Sequence, residues 1–96
     1  MPKAYWIAFY REILDPNKLA AYAKLAGPAI ERGGGRFLAR GTAARAYEAG
    51  QLERTVVVEF DSVESAVAAH DSPAYQEVAQ HRFRGAIYRG LIVEGV

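Results

Sequence analysis

A strand without a polar side is the feature that most restricts how this chain can fold. The side chains of residues 4–12 alternate between two sides of an extended segment. One side carries Tyr5, Ile7 and Phe9, and the other carries Trp6, Ala8 and Tyr10. A strand covered only by its own helices would have a polar outer side. We therefore expect both faces of the sheet to be covered, one by helices and the other by a second subunit.

The segment after this strand predicts a long helix. Asp15 fits an N-cap, and Pro16 fits the first helical position. Apolar residues then recur at helical spacing as far as Ile30. The glycines at residues 33–35 predict the end of the helix, and Pro28 predicts a kink or a tightened turn inside it.

A second helical region is predicted between later strands. Asp61 or Ser62 is expected to cap it, and Ser72-Pro73 to break and restart it. Strands are predicted at residues 35–41, 53–61 and 86–94, with a short, weaker one at residues 44–49. In the strand at 53–61, one side carries Arg54, Val56, Val58 and Phe60, and the other carries Thr55, Val57 and Glu59.

This order of elements predicts an α+β fold of the ferredoxin-like type, β-α-β-β-α-β. Its antiparallel sheet would carry the helices on one face. Ninety-six residues without a linker or repeat predict a single domain over residues 1–96.

Composition excludes several classes of partner. The 12 basic and 11 acidic residues are spread along the chain, so the basic stripe of a nucleic-acid binder is missing. The chain has no cysteine for disulfides or thiolate metal sites. It shows no signal peptide and no stretch that could span a bilayer, so a cytoplasmic protein without a membrane partner is expected.

Two long stretches resemble a known family. They are DPNKLAAYAKLAGPAIERGGGRFLARG and RTVVVEFDSVESAVAAHDSPAYQEVAQHR, and they resemble the signature of the domain-of-unknown-function 1330 family. The resemblance implies the dimeric α/β-barrel superfamily, in which two ferredoxin-like sheets pack face to face. That superfamily includes cofactor-free monooxygenases, lactone isomerases, haem-degrading enzymes and proteins without a known activity, so the fold alone does not assign chemistry.

Arg40 is a candidate anion-binding residue. It follows Arg36 by four positions, which places both on one face of a regular strand. An arginine on a half-buried sheet face needs a partner or an anion. Either Arg40 pairs with Glu59 on a neighbouring strand, or it holds the carboxylate or enolate of a small ligand.

His70 and Glu59 are candidate acid-base groups. His70 stands near a helix end, where it either stabilises helix carbonyls or acts as a general base at the mouth of a pocket. Glu59 interrupts a valine-rich strand. It is either an acid or base buried at the dimer side or an ordinary charge on the strand surface.

Aromatic residues either line a pocket or pack in the core and the dimer interface. Tyr22 and Tyr75 are the strongest candidates, because a helix tyrosine that faces a sheet brings its hydroxyl near a pocket. Trp6 is a third. The predicted site thus has His70 and Arg40 as catalytic residues, and Tyr22, Tyr75, Trp6 and Glu59 as substrate-binding residues. No metal ligand and no cofactor are predicted.

Two functions remain open at this point. The first is a homodimer that binds or converts a small carboxylate-bearing or aromatic molecule without a cofactor. The second is a non-catalytic homodimer with a structural or partner-binding role. Convergence of Arg40 and His70 on one open cavity would favour the first, and internal partners for both would contradict the first in this form and favour the second.

Overall fold

A computed structural model describes residues 2–96 as a four-stranded antiparallel sheet with helices on one face. The strands are β1 (Ala4–Ile13), β2 (Arg36–Thr42), β3 (Arg54–Phe60) and β4 (Ala86–Glu94). The helices are α1 (Pro16–Arg32), α2 (Val63–Asp71) and α3 (Pro73–Ala79), and a 3₁₀ turn (Gln80–Arg82) follows α3. The strand order is β2-β3-β1-β4, which confirms the predicted ferredoxin-like α+β fold. None of the helices within residues 2–96 is long and apolar enough to cross a membrane.

The alternation of β1 decides which side chains form the core. Trp6, Ala8 and Tyr10 are buried under the helices, whereas Tyr5, Ile7 and Phe9 are half-buried on the opposite face. In the neighbouring strands, Val58 and Ile92 lie on either side of Trp6 and extend the helix-covered layer. The predicted division of β1 into two apolar sides is therefore confirmed.

The start of α1 follows from the local sequence, and so does its end. The Asp15 carboxylate accepts hydrogen bonds from the backbone N–H groups of Asn17 (3.0 Å) and Lys18 (3.3 Å). Pro28 does not end α1, which continues to Arg32. Gly34 then adopts a φ of +97°, a conformation that glycine reaches at little cost.

Two serines set the boundaries of the second helical region. Ser62, rather than Asp61, caps α2 through reciprocal hydrogen bonds with Ser65. The Ser72 hydroxyl donates to the carbonyl of Ala69 at 2.8 Å and accepts from the N–H of Tyr75 at 3.2 Å. This one side chain joins the end of α2 to the start of α3, as the predicted restart requires.

The strand predicted at residues 44–49 is wrong. Residues 43–53 form an irregular connection between β2 and β3, closed by a hydrogen bond from the N–H of Ala43 to the carbonyl of Glu53. Tyr47 is 73% exposed and Leu52 is 60% exposed, so neither apolar side chain has a layer to pack against. Glu48 has a φ of 51°, which a continuous strand does not allow.

The placement of Arg36 and Arg40 on one face of β2 is also wrong. The β2–β3 register shifts between Phe37 and Ala39, which is a β-bulge at Leu38. The extra residue reverses the alternation, so Arg36 lies opposite Glu59 on the open face and Arg40 lies opposite Val56 on the helix-covered face.

The face of the sheet without helices is largely apolar. Leu91 and Val93 are 45% and 47% exposed there, beside the half-buried Ile7 and Val57. Charged groups lie near its margins, where Arg89 stacks on Phe9 at 5.1 Å. We refer to this surface, formed by the outward side chains of all four strands, as the open face.

Candidate ligand-binding cleft

A narrow cleft runs between α1 and the helix-covered face of the sheet. Ten of its twelve lining residues are apolar or aromatic, and the other two are Arg40 and Arg54; no carboxylate lines it. The space open to the centre of a water-sized sphere is about 20 Å³, which is enough for roughly one water molecule. A larger ligand would therefore require α1 or a lining side chain to move.

Arg40 reaches this cleft because α1 leaves room for it. Its Nη2 donates to the carbonyl oxygen of Ala23 at 2.8 Å, and its guanidinium stacks on Phe37 at 4.6 Å. A Cβ atom at Gly27 would lie 3.1 Å from Arg40 Nη1, so a larger residue there would crowd the guanidinium. The alternative pairing of Arg40 with Glu59 is not formed.

Tyr10 and Arg54 also line the cleft. Burial raises the pKa of Tyr10 far above its usual range, and Tyr22 adds to the effect, whereas the charges of Arg82 and Arg54 act in the opposite direction. The Tyr10 hydroxyl therefore stays protonated near neutral pH and remains a hydrogen-bond donor.

Tyr22 and Tyr75, singled out in the sequence, meet in the structure. Their hydroxyl oxygens lie 2.6 Å apart across the contact between α1 and α3, and both side chains are buried. Burial raises the pKa of Tyr75, and the neighbouring Tyr22 raises it further. Both rings are thus fixed beside the cleft, and Tyr22 also lines it.

Trp6 lines both the cleft and a second, more open groove. Its Nε1–H donates to the hydroxyl of Tyr88 at 2.9 Å. Gly90 makes room for this bond, since a Cβ atom there would lie 2.5 Å from the Tyr88 hydroxyl oxygen. On the β4 side, Trp6, Tyr88 and His70 line a groove with about 220 Å³ open to water-sized spheres.

His70 belongs to this groove and not to the cleft. Its Nδ1 lies 2.8 Å from Oδ1 of Asp71, and its ring packs against Trp6 and Tyr75 with centroid distances of 5.1 and 5.4 Å. Arg40 and His70 are therefore not brought together in one cavity, and each has a partner within the chain. The structure places Tyr22, Trp6 and Arg40 along the cleft, with Tyr75 directly behind Tyr22.

Glu59 lies on the open face, away from the cleft. It accepts a hydrogen bond from Nε of Arg36 at 3.0 Å and one from the Tyr5 hydroxyl at 3.4 Å. Its location on the open face, paired with Arg36, is compatible with both alternatives for this residue, and a role in substrate binding stays a prediction.

Sequence reasoning missed two arginines, Arg54 and Arg82. Arg54 shares its side of β3 with three core residues, and that alternation was the available signal. Arg82 lies on the 3₁₀ turn after α3. Its side chain is only 7% exposed because it packs against Tyr22 of α1 and Tyr88 of β4. Within residues 2–96, no cluster of three or more His, Cys, Asp or Glu residues could hold a metal ion.

The sheet order, the helices on one face and the cleft beneath α1 define a ferredoxin-like α+β protein. Residues 3–96 match the family described as Domain of unknown function (DUF1330), and the chain belongs to this family. A comparison with proteins of curated description gives no match.

Solved structures of similar fold come from bacteria and a plant. One is a protein of unknown function from Rhodopseudomonas palustris, with 21% identity, 99% of this chain and 83% of that chain covered, and a TM-score of 0.70. Another is a dimeric ferredoxin-like protein of unknown function from Thermobifida fusca, with 16% identity, coverage of 97% and 91%, and a TM-score of 0.69. A third is the hydroxynitrile lyase of Passiflora edulis, with 15% identity, coverage of 97% and 93%, and a TM-score of 0.71. At these identities the likeness shows the fold alone.

Proposed function

We propose that the protein is a homodimer that binds a small molecule with a carboxylate on an apolar or aromatic body, in the cleft beneath α1 of each subunit. The observation that carries this proposal is the lining of the cleft, where apolar walls are combined with Arg40 and Arg54 and with no carboxylate. An apolar body would be held by the walls, and an anionic group by the arginines.

Arg40 has donors left for a ligand. A guanidinium has five N–H donors, and only one hydrogen bond of Arg40, to the Ala23 carbonyl, is formed within the protein. The backbone carbonyl is neutral, so the positive charge of Arg40 is not compensated by it. A ligand carboxylate at the cleft mouth would provide both acceptors and the opposite charge.

Binding is better supported than conversion. His70, the proposed acid-base group, lies in the groove beside β4, and Trp6 separates this groove from the cleft. For His70 to act on a ligand in the cleft, its ring would have to leave Asp71 and the ligand would have to extend past Trp6. The enzyme from Passiflora edulis shows that this fold can support catalysis, and a cofactor-free conversion here is a hypothesis by analogy.

The apolar open face supports the proposal of a homodimer. Burying its exposed aliphatic residues would stabilise a dimer by about 25 cal/mol for each Å² of apolar surface removed from water. A monomer with this face in water would carry an extended apolar patch of a kind that usually marks an interface. The dimeric relative from Thermobifida fusca supports pairing of two such subunits.

The test of binding uses Trp6 as an internal reporter, because it is the only tryptophan and lines the cleft. The protein is titrated with benzoate and with uncharged benzamide while tryptophan emission is recorded. We expect a saturable change with benzoate, a much weaker one with benzamide, and a loss of benzoate affinity in Arg40→Met and Arg54→Met. Arg45→Met, in the exposed connection between β2 and β3, is the matched control and should bind as the wild type does.

A non-catalytic homodimer is the second candidate, favoured by the internal partners of Arg40 and His70 and by the small volume of the cleft. It predicts that neither benzoate nor benzamide changes the emission of Trp6 at millimolar concentration. That result would remove the support for a ligand-binding role of the cleft.

A further inference from the structure

Arg82 is a buried cation without an anionic partner. It is 7% exposed, and no carboxylate oxygen of residues 2–96 lies within 4.0 Å of its guanidinium. Its Nε is buried and has no hydrogen-bond partner. A buried charge in this state is costly, and such groups in proteins are ordinarily paired.

Aromatic rings, rather than carboxylates, surround Arg82. Its guanidinium carbon lies 3.8 Å from the centroid of the Tyr88 ring and 5.0 Å from that of Tyr22. Cation–π contacts of this kind stabilise the charge in part, but a ring face accepts no N–H hydrogen bond as strong as that of a carboxylate.

The hydroxyl groups around Arg82 have spare donors as well. Only one of the Tyr22 and Tyr75 hydroxyls can donate within their 2.6 Å hydrogen bond, so the proton of the other is free. Tyr88 accepts from Trp6 and so keeps its own proton available. Tyr10 packs edge-on against Tyr88 at 5.4 Å and adds a fourth hydroxyl. Arg82, which also interacts with the Tyr75 hydroxyl, and these phenols thus form a cluster of donors in which no carboxylate takes part.

We propose that Arg82 and the hydroxyls of Tyr10, Tyr22, Tyr75 and Tyr88 form an anion site that takes the carboxylate of the ligand. This inference rests on the proposed function and specifies where the carboxylate of the ligand would bind. Tyr10 and Tyr22 belong both to this cluster and to the cleft, so the carboxylate would lie at the inner end with the apolar body along α1. With the carboxylate at Arg82, Arg40 would contact the ligand less directly, so Arg40→Met should weaken benzoate binding less than Arg82→Met does.

The test compares Arg82→Met, Arg82→Lys and the control Arg45→Met with the wild-type protein. Each is titrated with sodium formate, which has a carboxylate and no apolar body, and with benzoate. Sodium gluconate, whose anion is too bulky for the site, keeps the ionic strength constant, and Trp6 emission is the readout. We expect Arg82→Met to lose the formate response and to weaken benzoate binding by about tenfold to a hundredfold, the effect of removing a charged hydrogen-bond partner. Arg82→Lys should keep part of the affinity.

Melting curves separate a binding role from a structural one. We expect the unliganded Arg82→Met protein to melt at or above the wild-type temperature, because it no longer buries an uncompensated charge. Formate should raise the melting temperature of the wild type and not that of Arg82→Met. If Arg82→Met does not fold, Tyr75→Phe and Tyr88→Phe each remove one donor and should each weaken formate binding several-fold.

The outcomes distinguish this inference from the proposed function. Equal benzoate affinity in wild type and Arg82→Met, with loss in Arg40→Met, would overturn the anion site and leave the cleft as the binding site. A formate response that depends on Arg82, without any benzoate binding, would support the anion site and contradict an aromatic ligand in the cleft. Absence of both responses would overturn both.

Discussion

Most of the buried side chains that can form hydrogen bonds in this protein are tyrosines. Tyr22 and Tyr75 bond to each other, and Tyr88 accepts from Trp6, so the polar groups of these four side chains have partners although they lie among apolar side chains. Removing one partner leaves the other buried and unsatisfied, which costs more than the bond itself contributes.

Tyr75→Phe should lower the free energy of unfolding by about 1–3 kcal/mol, because the Tyr22 hydroxyl loses its partner in a buried environment. Urea unfolding measures the change. Tyr47→Phe removes the same atom from a side chain that is 73% exposed and should leave stability unaltered. Equal effects of the two substitutions would show that the buried bond contributes little.

Benzoate affinity should stay constant between about pH 6 and about pH 9, because arginine keeps its charge over this range. Burial raises the pKa of Tyr10, Tyr75 and Tyr88, so their hydroxyls remain protonated donors as the pH rises. Titrations at several pH values measure the profile. A loss of affinity as the pH rises through about 5 to 8 would instead implicate the protonated form of a histidine, such as His70, in binding.

At the scale of helices and strands, glycines leave the space that larger neighbouring side chains occupy. Gly27 makes room for Arg40 against α1, and Gly90 makes room for the Tyr88 hydroxyl below Trp6. A Cβ atom at Gly35 would lie 2.7 Å from side-chain atoms of both Ile30 and Val58, so the turn between α1 and β2 passes directly over the core.

Gly90→Ala should displace the Tyr88 ring and break its hydrogen bond with Trp6, since the added Cβ would lie 2.5 Å from the Tyr88 hydroxyl oxygen. We expect an altered Trp6 emission spectrum and a loss of about 1–3 kcal/mol of stability. Gly41→Ala is the matched control, because a Cβ atom at this strand glycine meets nothing within 4 Å. An unchanged spectrum in Gly90→Ala would contradict the geometry described for Tyr88.

Element types and order could be predicted from the sequence because their signals are local. Asp15-Pro16 and Ser72-Pro73 start helices by their own side chains, and the alternation in β1 assigns its faces. The bulge at Leu38 has no comparable local signal, and it reversed the face of Arg40. Within the candidate site, the sequence predicted that Tyr22 and Tyr75 both face the sheet, because helical spacing assigns each to the buried side of its helix. The separation of Arg40 from His70, and the burial of Arg82 without a carboxylate, depend on packing between distant segments.

The molecule as a whole has two apolar surfaces with different roles. The helix-covered face forms the core and the cleft, and the open face presents Ile7, Val57 and Leu91 outward. Arg36 joins Glu59 and Asp61 at the margin of the open face, each at about 3 Å. A central apolar area with charged margins is the usual composition of a subunit interface.

Leu91→Lys should convert the proposed homodimer into a monomer, because it places a charge on the apolar part of the open face where two subunits would meet. Sedimentation velocity at micromolar concentration measures the change. Leu52→Lys alters a leucine that is 60% exposed in the connection between β2 and β3 and should leave the dimer intact. A wild-type protein that sediments as a monomer would contradict the face-to-face arrangement.

The central claim concerns the cleft, and a crystal structure of the purified protein with and without benzoate tests it most directly. We predict electron density for a small molecule between α1 and the sheet, with its carboxylate within hydrogen-bond distance of an arginine, Arg82 at the inner end or Arg40 or Arg54 along the cleft. A cleft that stays closed and empty in saturating benzoate, with Arg40 still bonded to Ala23 and Arg82 still without an anion, would contradict the claim.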